Sequence, residues 1–280
     1  MKDTVNDEDV QAKAILEFNE YIMLLDKFNI SYETISQINQ NAPDSIFLNN
    51  WFSTHKNENI PEGLLIIYPI KALNRRIEKC PEIIDKLKES YKYFVDLSYL
   101  EKENEFIEST GSLVFDHNNR KIFCCYSERA TVKAVNVFME TVNKYTKNPY
   151  ELISFKASDK NGKSIYHTNC IMAILEHHTI ICLSVIKDET EISRVKSSLQ
   201  ENRKIIEITE KQIESYCGNV INVKDKDGKT VVLMSQSAQN GFTNKQLQTL
   251  KKSYKVISVN INTIETVGGG SARCMVSELY

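Results

Sequence analysis

The 280-residue sequence lacks the features that mark several large classes of protein. No apolar run approaches the roughly 20 residues that a transmembrane helix needs, and the opening segment MKDTVNDEDV lacks the apolar centre of a signal peptide. The net charge is only −2, with 35 basic and 37 acidic residues intermixed, so no basic face is available for nucleic acid or an anionic membrane. The sequence therefore predicts a cytoplasmic protein that binds neither nucleic acid nor membranes.

Signatures of metal and nucleotide cofactors are also missing. The seven cysteines form no even disulfide framework and no C-x-x-C pair that would suggest zinc. No G-x-G-x-x-G or G-x-x-x-x-G-K-[ST] motif follows a strand, so nucleotide binding is not supported. Most of the cysteines are expected to be small buried apolar residues in a reducing compartment.

Regular alternation of short apolar runs and helical patterns predicts one α/β domain over residues 1–280, since no Pro- or Ser-rich linker divides it. The first helix has Ile15, Phe18, Ile22 and Leu25 at helical spacing and is expected to end at Asn29. Further helices are predicted at 130–145, 189–201, 209–216 and 243–253. Strands are predicted at 45–48, 63–70, 112–116, 121–126, 164–176, 178–186, 231–238 and 256–261, the third and fourth of them forming a hairpin.

One cysteine stands in an unusual setting near the C-terminus. In GGGSARCMVSE, residues 268–278, Cys274 follows three glycines and the cation Arg273. Glycines let backbone N–H groups turn toward a site and a nearby cation favours the thiolate, so Cys274 is a candidate nucleophile. The alternative is a buried cysteine at the end of a flexible loop. Taken alone, His167 on a predicted strand is more typical of a core histidine, and Glu108 of a solvated turn.

Five short motifs favour the functional interpretation of these residues because of their order along the chain. They are PDSIFLNNWFSTH at 43–55, NRR at 74–76, ESTGS at 108–112, YHTN at 166–169 and GGSARCM at 269–275. In this order they resemble the amidinotransferase-like enzymes of the pentein superfamily. The resemblance runs from residue 11 to the C-terminus. It is closest to the arginine-deiminase-related, citrulline-hydrolysing enzymes and more distant to dimethylargininase, arginine deiminase and agmatine deiminase.

The resemblance implies a fold and a set of catalytic roles. The family fold is an α/β propeller of five repeated ββαβ-type units around a central active site. Cys274 falls on the family's nucleophile, which attacks the planar carbon of a guanidino or ureido group. His167 falls on the general acid/base, and Glu108 on the carboxylate that holds the substrate nitrogens and the histidine. The reaction requires no metal or organic cofactor.

Three other positions imply an α-amino-acid substrate. Asp44 matches the carboxylate that reaches the α-amino side of the ligand in dimethylargininase. Arg76 and Arg129 match the arginines that hold the α-carboxylate, a task for which the guanidinium fork is suited.

This sequence departs from the family pattern at residues expected to contact the guanidino or ureido group of the substrate. Asn49 and Asn50 stand where guanidine-processing relatives carry a carboxylate, and Asn169 stands in place of the aspartate of their H-x-D motif. A buried guanidinium needs anionic partners, whereas amides suit a neutral ureido group. The leading hypothesis is therefore hydrolysis of citrulline to ornithine.

The sequence leaves alternatives open. An arginine deiminase or dimethylargininase activity is the second hypothesis. A catalytically silent ligand-binding protein is the third, because the chain begins almost at its first helix and one propeller unit would then be incomplete. Assembly into a homodimer also stays open.

Overall fold

The computed structural model describes residues 7–36 and 41–280. Within them one arrangement occurs four times: two antiparallel strands, one or two helices, and a third strand parallel to the second. A parallel neighbour requires a crossover connection, and the helices supply it. The repeated ββαβ unit predicted for the pentein fold is therefore present.

The strands form four three-stranded sheets, each with its second strand in the centre. In chain order the strands are β1 Phe52–Asn57, β2 Ile60–Ile67, β3 Tyr93–Asp96, β4 Leu113–Asp116, β5 Lys121–Cys125, β6 Glu151–Phe155, β7 Met172–Ile174, β8 His178–Ile181, β9 Lys204–Glu207, β10 Ile221–Lys224, β11 Thr230–Ser235 and β12 Lys255–Val259. The helices are α1 Asp7–Lys27, α2 Pro81–Lys88, α3 Ser109–Ser112, α4 Val132–Asn143, α5 Glu189–Gln200, α6 Glu210–Glu214, α7 Gln236–Gly241, α8 Asn244–Ser253 and α9 Asn262–Gly268.

The central strands β2, β5, β8 and β11 are the most buried parts of the sheets. All five residues of β5 and all four of β8 are buried. A strand covered on both faces has an almost continuous apolar run instead of an alternating pattern. These runs are the ones that the sequence identified as strands, and the hairpin of β4 and β5 is confirmed.

Two of the predicted strands are wrong in ways that concern the candidate site. The predicted strand at 45–48 is instead the end of a turn at 43–46 and the start of the short 3₁₀ helix Leu48–Asn50. Of the predicted strand at 164–176, only β7 is a strand. His167 lies before it, next to the 3₁₀ helix Thr168–Cys170. The sequence placed His167 inside a strand, whereas the structure places it five residues before one, at the start of a 3₁₀ helix.

The two longest predicted helices are confirmed, although their apolar faces are shorter than expected. Helix α1 buries Leu25 but leaves Ile15 53% exposed, and Asn29 follows it with a left-handed φ of 53°. Helix α4 buries the side chains at positions 135, 138 and 142, whereas Val132 in its first turn is 54% exposed.

Helix α1 packs against α9 and β12, next to the loop that carries Cys274. The Glu17 carboxylate accepts hydrogen bonds from the N–H groups of Thr263 and Ile264 at 2.8 and 2.9 Å, which caps the start of α9. The Tyr21 hydroxyl donates to the carbonyl of Ala272 at 3.0 Å. The first helix therefore holds the C-terminal loop in position.

The described residues form four three-stranded sheets. None of the described helices is long and apolar enough to cross a membrane. Four expectations from the sequence stay predictions: one incomplete unit, a single domain over residues 1–280, a homodimer and a cytoplasmic location.

Candidate active site

Glu108 lies at the start of the one-turn helix α3, with its side chain fully buried. One carboxylate oxygen accepts from His167 Nε2 at 2.8 Å and from Arg129 Nη1 at 3.1 Å. The other accepts from the backbone N–H of Lys71 at 3.1 Å. Burial alone would raise the pKa of Glu108, but these donors and the positive charges outweigh it and lower the pKa to about 2. Glu108 is therefore an anion at neutral pH.

His167 is 4% exposed, and its ring contacts Glu108 through Nε2. Burial lowers its pKa below the ordinary 6.5, opposed by the hydrogen bond and charge of Glu108. The ring is therefore neutral at pH 7, with Nε2–H donating to Glu108 and Nδ1 left as a base. The predicted pairing of His167 with Glu108 is present in the structure.

Gly111 explains how Asn50 and His167 approach one another. A Cβ at Gly111 would lie 2.5 Å from Asn50 Oδ1 and 3.0 Å from His167 Nδ1. No side chain fits at such distances, so the absence of a Cβ lets the amide and the imidazole come together over the backbone. Gly111 is a site residue that the sequence showed only as part of the motif ESTGS at 108–112.

Cys274 is 8% exposed and lies in a turn in which its N–H donates to the carbonyl of Ser271 at 2.8 Å. The side chain that contacts its sulfur is Asn219, with Nδ2 at 3.3 Å and Oδ1 at 3.5 Å from Sγ. Asn219 Nδ2 is also 3.3 Å from the carbonyl oxygen of Asn169, two residues after His167. One amide therefore links the candidate nucleophile to the segment that carries the candidate base.

The expected surroundings of Cys274 differ from the observed ones. Arg273 donates to the carbonyl of Val276 at 2.9 Å and pairs with Glu278 at 3.2 Å, so its charge is already neutralised. A Cβ at Gly268 or Gly270 would lie under 3.0 Å from the ring of Phe47. These glycines permit close packing against an aromatic ring, a function that the sequence argument did not predict.

The three asparagines singled out from the sequence are buried, with exposures of 0% for Asn49, 4% for Asn50 and 2% for Asn169. Within the described chain, neither end of the Asn49 amide has a hydrogen-bond partner, and the same holds for Asn50 Oδ1 and Asn169 Nδ2. An unpaired buried amide group costs on the order of 1–3 kcal/mol. Amide atoms left in this state are typical of a site that a ligand completes.

The residues predicted to bind the α-amino and α-carboxylate groups already have partners in the protein. Asp44 lies 3.5 Å from Arg75, which also pairs with Glu78 at 2.8 Å. Arg76 Nε donates to the carbonyl of Ile70 at 2.9 Å, and its side chain is 25% exposed.

Arg129 is the other arginine predicted for the α-carboxylate. Besides its bond to Glu108, it keeps a buried Nε without a partner in the described chain. The backbone of Ile70 and Lys71 brings the two arginines to the same region, because Ile70 contacts Arg76 and Lys71 contacts Glu108. Their roles and that of Asp44 stay predictions.

Two further residues near the candidate site were not identified from the sequence. Asn219 stands in the segment YCGN at 216–219, and Arg75 is the middle residue of the NRR motif. In the described ranges 7–36 and 41–280 no group of three or more His, Cys, Asp or Glu side chains is arranged to hold a metal ion.

Solved structures with a similar fold come from pentein proteins. The arginine dihydrolase ArgZ, from the ornithine–ammonia cycle in cyanobacteria, superposes with a TM-score of 0.72 at 14% identity over 96% of this chain. The match spans only about a third (36%) of full-length ArgZ, but 86% of its N-terminal domain in a substrate-bound variant, with a TM-score of 0.73 at 15% identity. A dimethylarginine dimethylaminohydrolase, solved as an adduct with 4-chloro-2-hydroxymethylpyridine, gives 0.66 at 18% identity over 94% of this chain and 90% of its own. The predicted pentein fold is confirmed.

Comparison with family models gives a narrower assignment than the fold alone. The model for N,N-dimethylarginine dimethylhydrolase, eukaryotic, matches residues 1–280, and the chain belongs to this family. The family's name describes hydrolases of a non-peptide carbon–nitrogen bond, which is the class of enzyme that the sequence predicted. The comparison with curated protein sequences gave no match.

Proposed function

We propose that the protein hydrolyses the ureido group of an α-amino acid, converting citrulline to ornithine, with Cys274 as nucleophile, His167 as general acid/base and Glu108 as the orienting carboxylate. The observation that carries this proposal is the set of buried amide atoms without partners on Asn49, Asn50 and Asn169. An amide can donate to a ureido oxygen and accept from ureido nitrogens without a change of charge.

The charges around the candidate site favour a neutral substrate. Glu108 is the buried anion beside His167, and its charge is balanced by Arg129 at 3.1 Å while His167 stays neutral. A guanidinium placed there would find no second anion among the three asparagines. Burying a charge without a partner costs several kcal/mol, whereas burying a hydrogen-bonded neutral group costs far less.

The reaction can be written with the residues in these roles. The sulfur of Cys274 attacks the ureido carbon while its proton passes to His167 Nδ1. His167 then gives that proton to the departing δ-nitrogen, which releases ornithine and leaves a carbamoyl group on the sulfur. A water molecule then gives a proton to His167 and attacks the carbamoyl carbon, the carbon–sulfur bond breaks, and His167 returns the proton to the sulfur of Cys274. The carbamate released decomposes to ammonia and carbon dioxide. Glu108 stabilises the imidazolium that forms in each half-reaction.

A second candidate is hydrolysis of dimethylarginine or arginine. Membership of the N,N-dimethylarginine dimethylhydrolase family favours it, and the anionic Glu108 is a group that could hold a guanidinium. The amides of Asn49 and Asn50 make this the weaker proposal, because neither supplies a second anion for the cation and Glu108 already pairs with Arg129.

Product analysis by mass spectrometry separates these activities. The purified protein, Cys274→Ala and the control Cys80→Ala are each incubated with citrulline, arginine and dimethylarginine. Ornithine from citrulline, formed by the wild type and the control but not by Cys274→Ala, supports the proposal. Citrulline formed from arginine or dimethylarginine would replace it with the second candidate. No product from any substrate would refute both and favour a ligand-binding protein.

A further inference from the structure

Asn219 occupies a fixed place between α6 and β10. It is 3% exposed, and its N–H donates to the carbonyl of Tyr216 at 2.9 Å in a turn where Tyr216 has a left-handed φ of 61°. A Cβ at Gly218 would lie 2.3 Å from the carbonyl oxygen of Cys170, so only glycine allows this approach. The turn is therefore packed against the residues that follow His167, and Asn219 is held there.

The orientation of the Asn219 amide follows from its two contacts. Nδ2 lies 3.3 Å from both the carbonyl oxygen of Asn169 and the sulfur of Cys274. A carbonyl can only accept, so the NH₂ end must face Asn169, and its second hydrogen points to the sulfur. Oδ1, at 3.5 Å from the same sulfur, can accept from the protonated thiol. The amide can thus contact Cys274 in either protonation state.

Arg273 and His167, the two groups that the sequence associated with Cys274, already have partners in the protein. Arg273 pairs with Glu278, and His167 donates its Nε2–H to Glu108. Among the described residues, Asn219 is the only side chain within hydrogen-bond distance of Cys274 Sγ.

We propose that Asn219 is a further catalytic residue, which donates a hydrogen bond to the Cys274 thiolate and fixes its position relative to His167. This inference rests on the proposed function only in taking Cys274 as the nucleophile, and holds whichever substrate is used. Hydrogen bonds to charged groups change equilibria by roughly tenfold or more. Loss of this donor should therefore reduce the thiolate population about tenfold at a given pH below the midpoint.

The test follows alkylation of Cys274 by iodoacetamide from pH 5 to pH 10, quantified by peptide mass spectrometry, so no substrate is needed. Asn219→Asp removes the donor, keeps the shape and places a carboxylate beside the sulfur. The midpoint of the pH–rate profile is expected to rise by about one pH unit or more. Asn219→Ala, without the added charge, should give a smaller rise, and Asn240→Asp on the exposed surface of α7 should give none.

Measurements on the wild type keep the inference testable if these variants fold poorly. In a pH titration of ¹⁵N-labelled protein, the side-chain NH₂ resonances of Asn219 should shift with the same midpoint as the rate of alkylation. In Cys274→Ala this pH-dependent shift should be absent.

The outcomes separate the two proposals. An unchanged midpoint in a folded Asn219→Asp, or amide resonances that do not follow Cys274, would overturn the role of Asn219 and leave the proposed function standing. A wild type in which Cys274 reacts no faster than the other cysteines would remove the nucleophile and overturn both.

Discussion

Replacing Glu108 by glutamine tests the electrostatic account of the site most directly. A fall in the pKa of Glu108 from 4.5 in the unfolded chain to about 2 corresponds to about 3 kcal/mol of stability at pH 7. Glutamine keeps the shape but offers one acceptor oxygen in place of two. Its NH₂ would therefore face either the N–H of Lys71 or the donors of His167 and Arg129. We expect Glu108→Gln to lower the free energy of unfolding by about 3 kcal/mol at pH 7.

The pH dependence of this difference is the sharper part of the prediction. A carboxyl group with a depressed pKa in the folded state stabilises the protein fully above its unfolded pKa of 4.5, and less as the pH falls toward 2. The free energy of unfolding of the wild type should therefore exceed that of Glu108→Gln by about 2 kcal/mol less at pH 3 than at pH 6.

Urea unfolding followed by the fluorescence of Trp51, the only tryptophan and fully buried, provides the assay. Glu103→Gln is the matched control, because its ion pair with Lys133 is exposed to solvent and should contribute little to stability. A difference between wild type and Glu108→Gln that stays constant from pH 6 to pH 3 would refute the reasoning.

Three further predictions concern specificity, proton transfer and the buried arginine. Asn50→Asp supplies an anion, so kcat/KM for arginine relative to citrulline should rise about tenfold or more in steady-state assays; an unchanged ratio would contradict the role of this amide. Because burial lowers the pKa of His167, the neutral base persists below pH 6.5, and the acidic limb of kcat/KM for ornithine release should have its midpoint below 6.5. Arg75→Met leaves Glu78 buried without its cation and should cost about 3–5 kcal/mol in urea unfolding, whereas Arg76→Met, at a 25% exposed side chain, should cost much less.

Burial on both faces explains why the four central strands were predictable. The central strands β2, β5, β8 and β11 gave long apolar runs, and each was identified from the sequence. Strands β3, β6 and β9 at the sheet edges have a mixed burial pattern and were missed, as were the polar strand β1 and the short β10. A four-residue edge strand with every second residue exposed carries too little apolar signal to be separated from a loop.

The candidate site was predictable to the extent that its residues stand in recognisable motifs. Cys274, His167 and Glu108 were assigned through the resemblance, and the structure joins the latter two at 2.8 Å. Single residues gave no such signal, because a buried histidine and a turn carboxylate are common in cores and on surfaces. Arg75 could not be separated from Arg76 by sequence, since only packing decides which of two adjacent arginines turns inward.

The repeat itself contains the signal that would have found Asn219. Glu108 and His167 each lie five residues before the first strand of their unit, which begins at Leu113 and at Met172. Asn50 and Asn219 each lie two residues before theirs, at the starts of β1 and β10. A repeated unit places its preceding turn at the same point of each sheet, so polar side chains at equivalent positions converge although they are far apart in sequence. Aligning the units of the structure on the starts of their first strands brings Asn219 into register with Asn50 and points to it as a site residue.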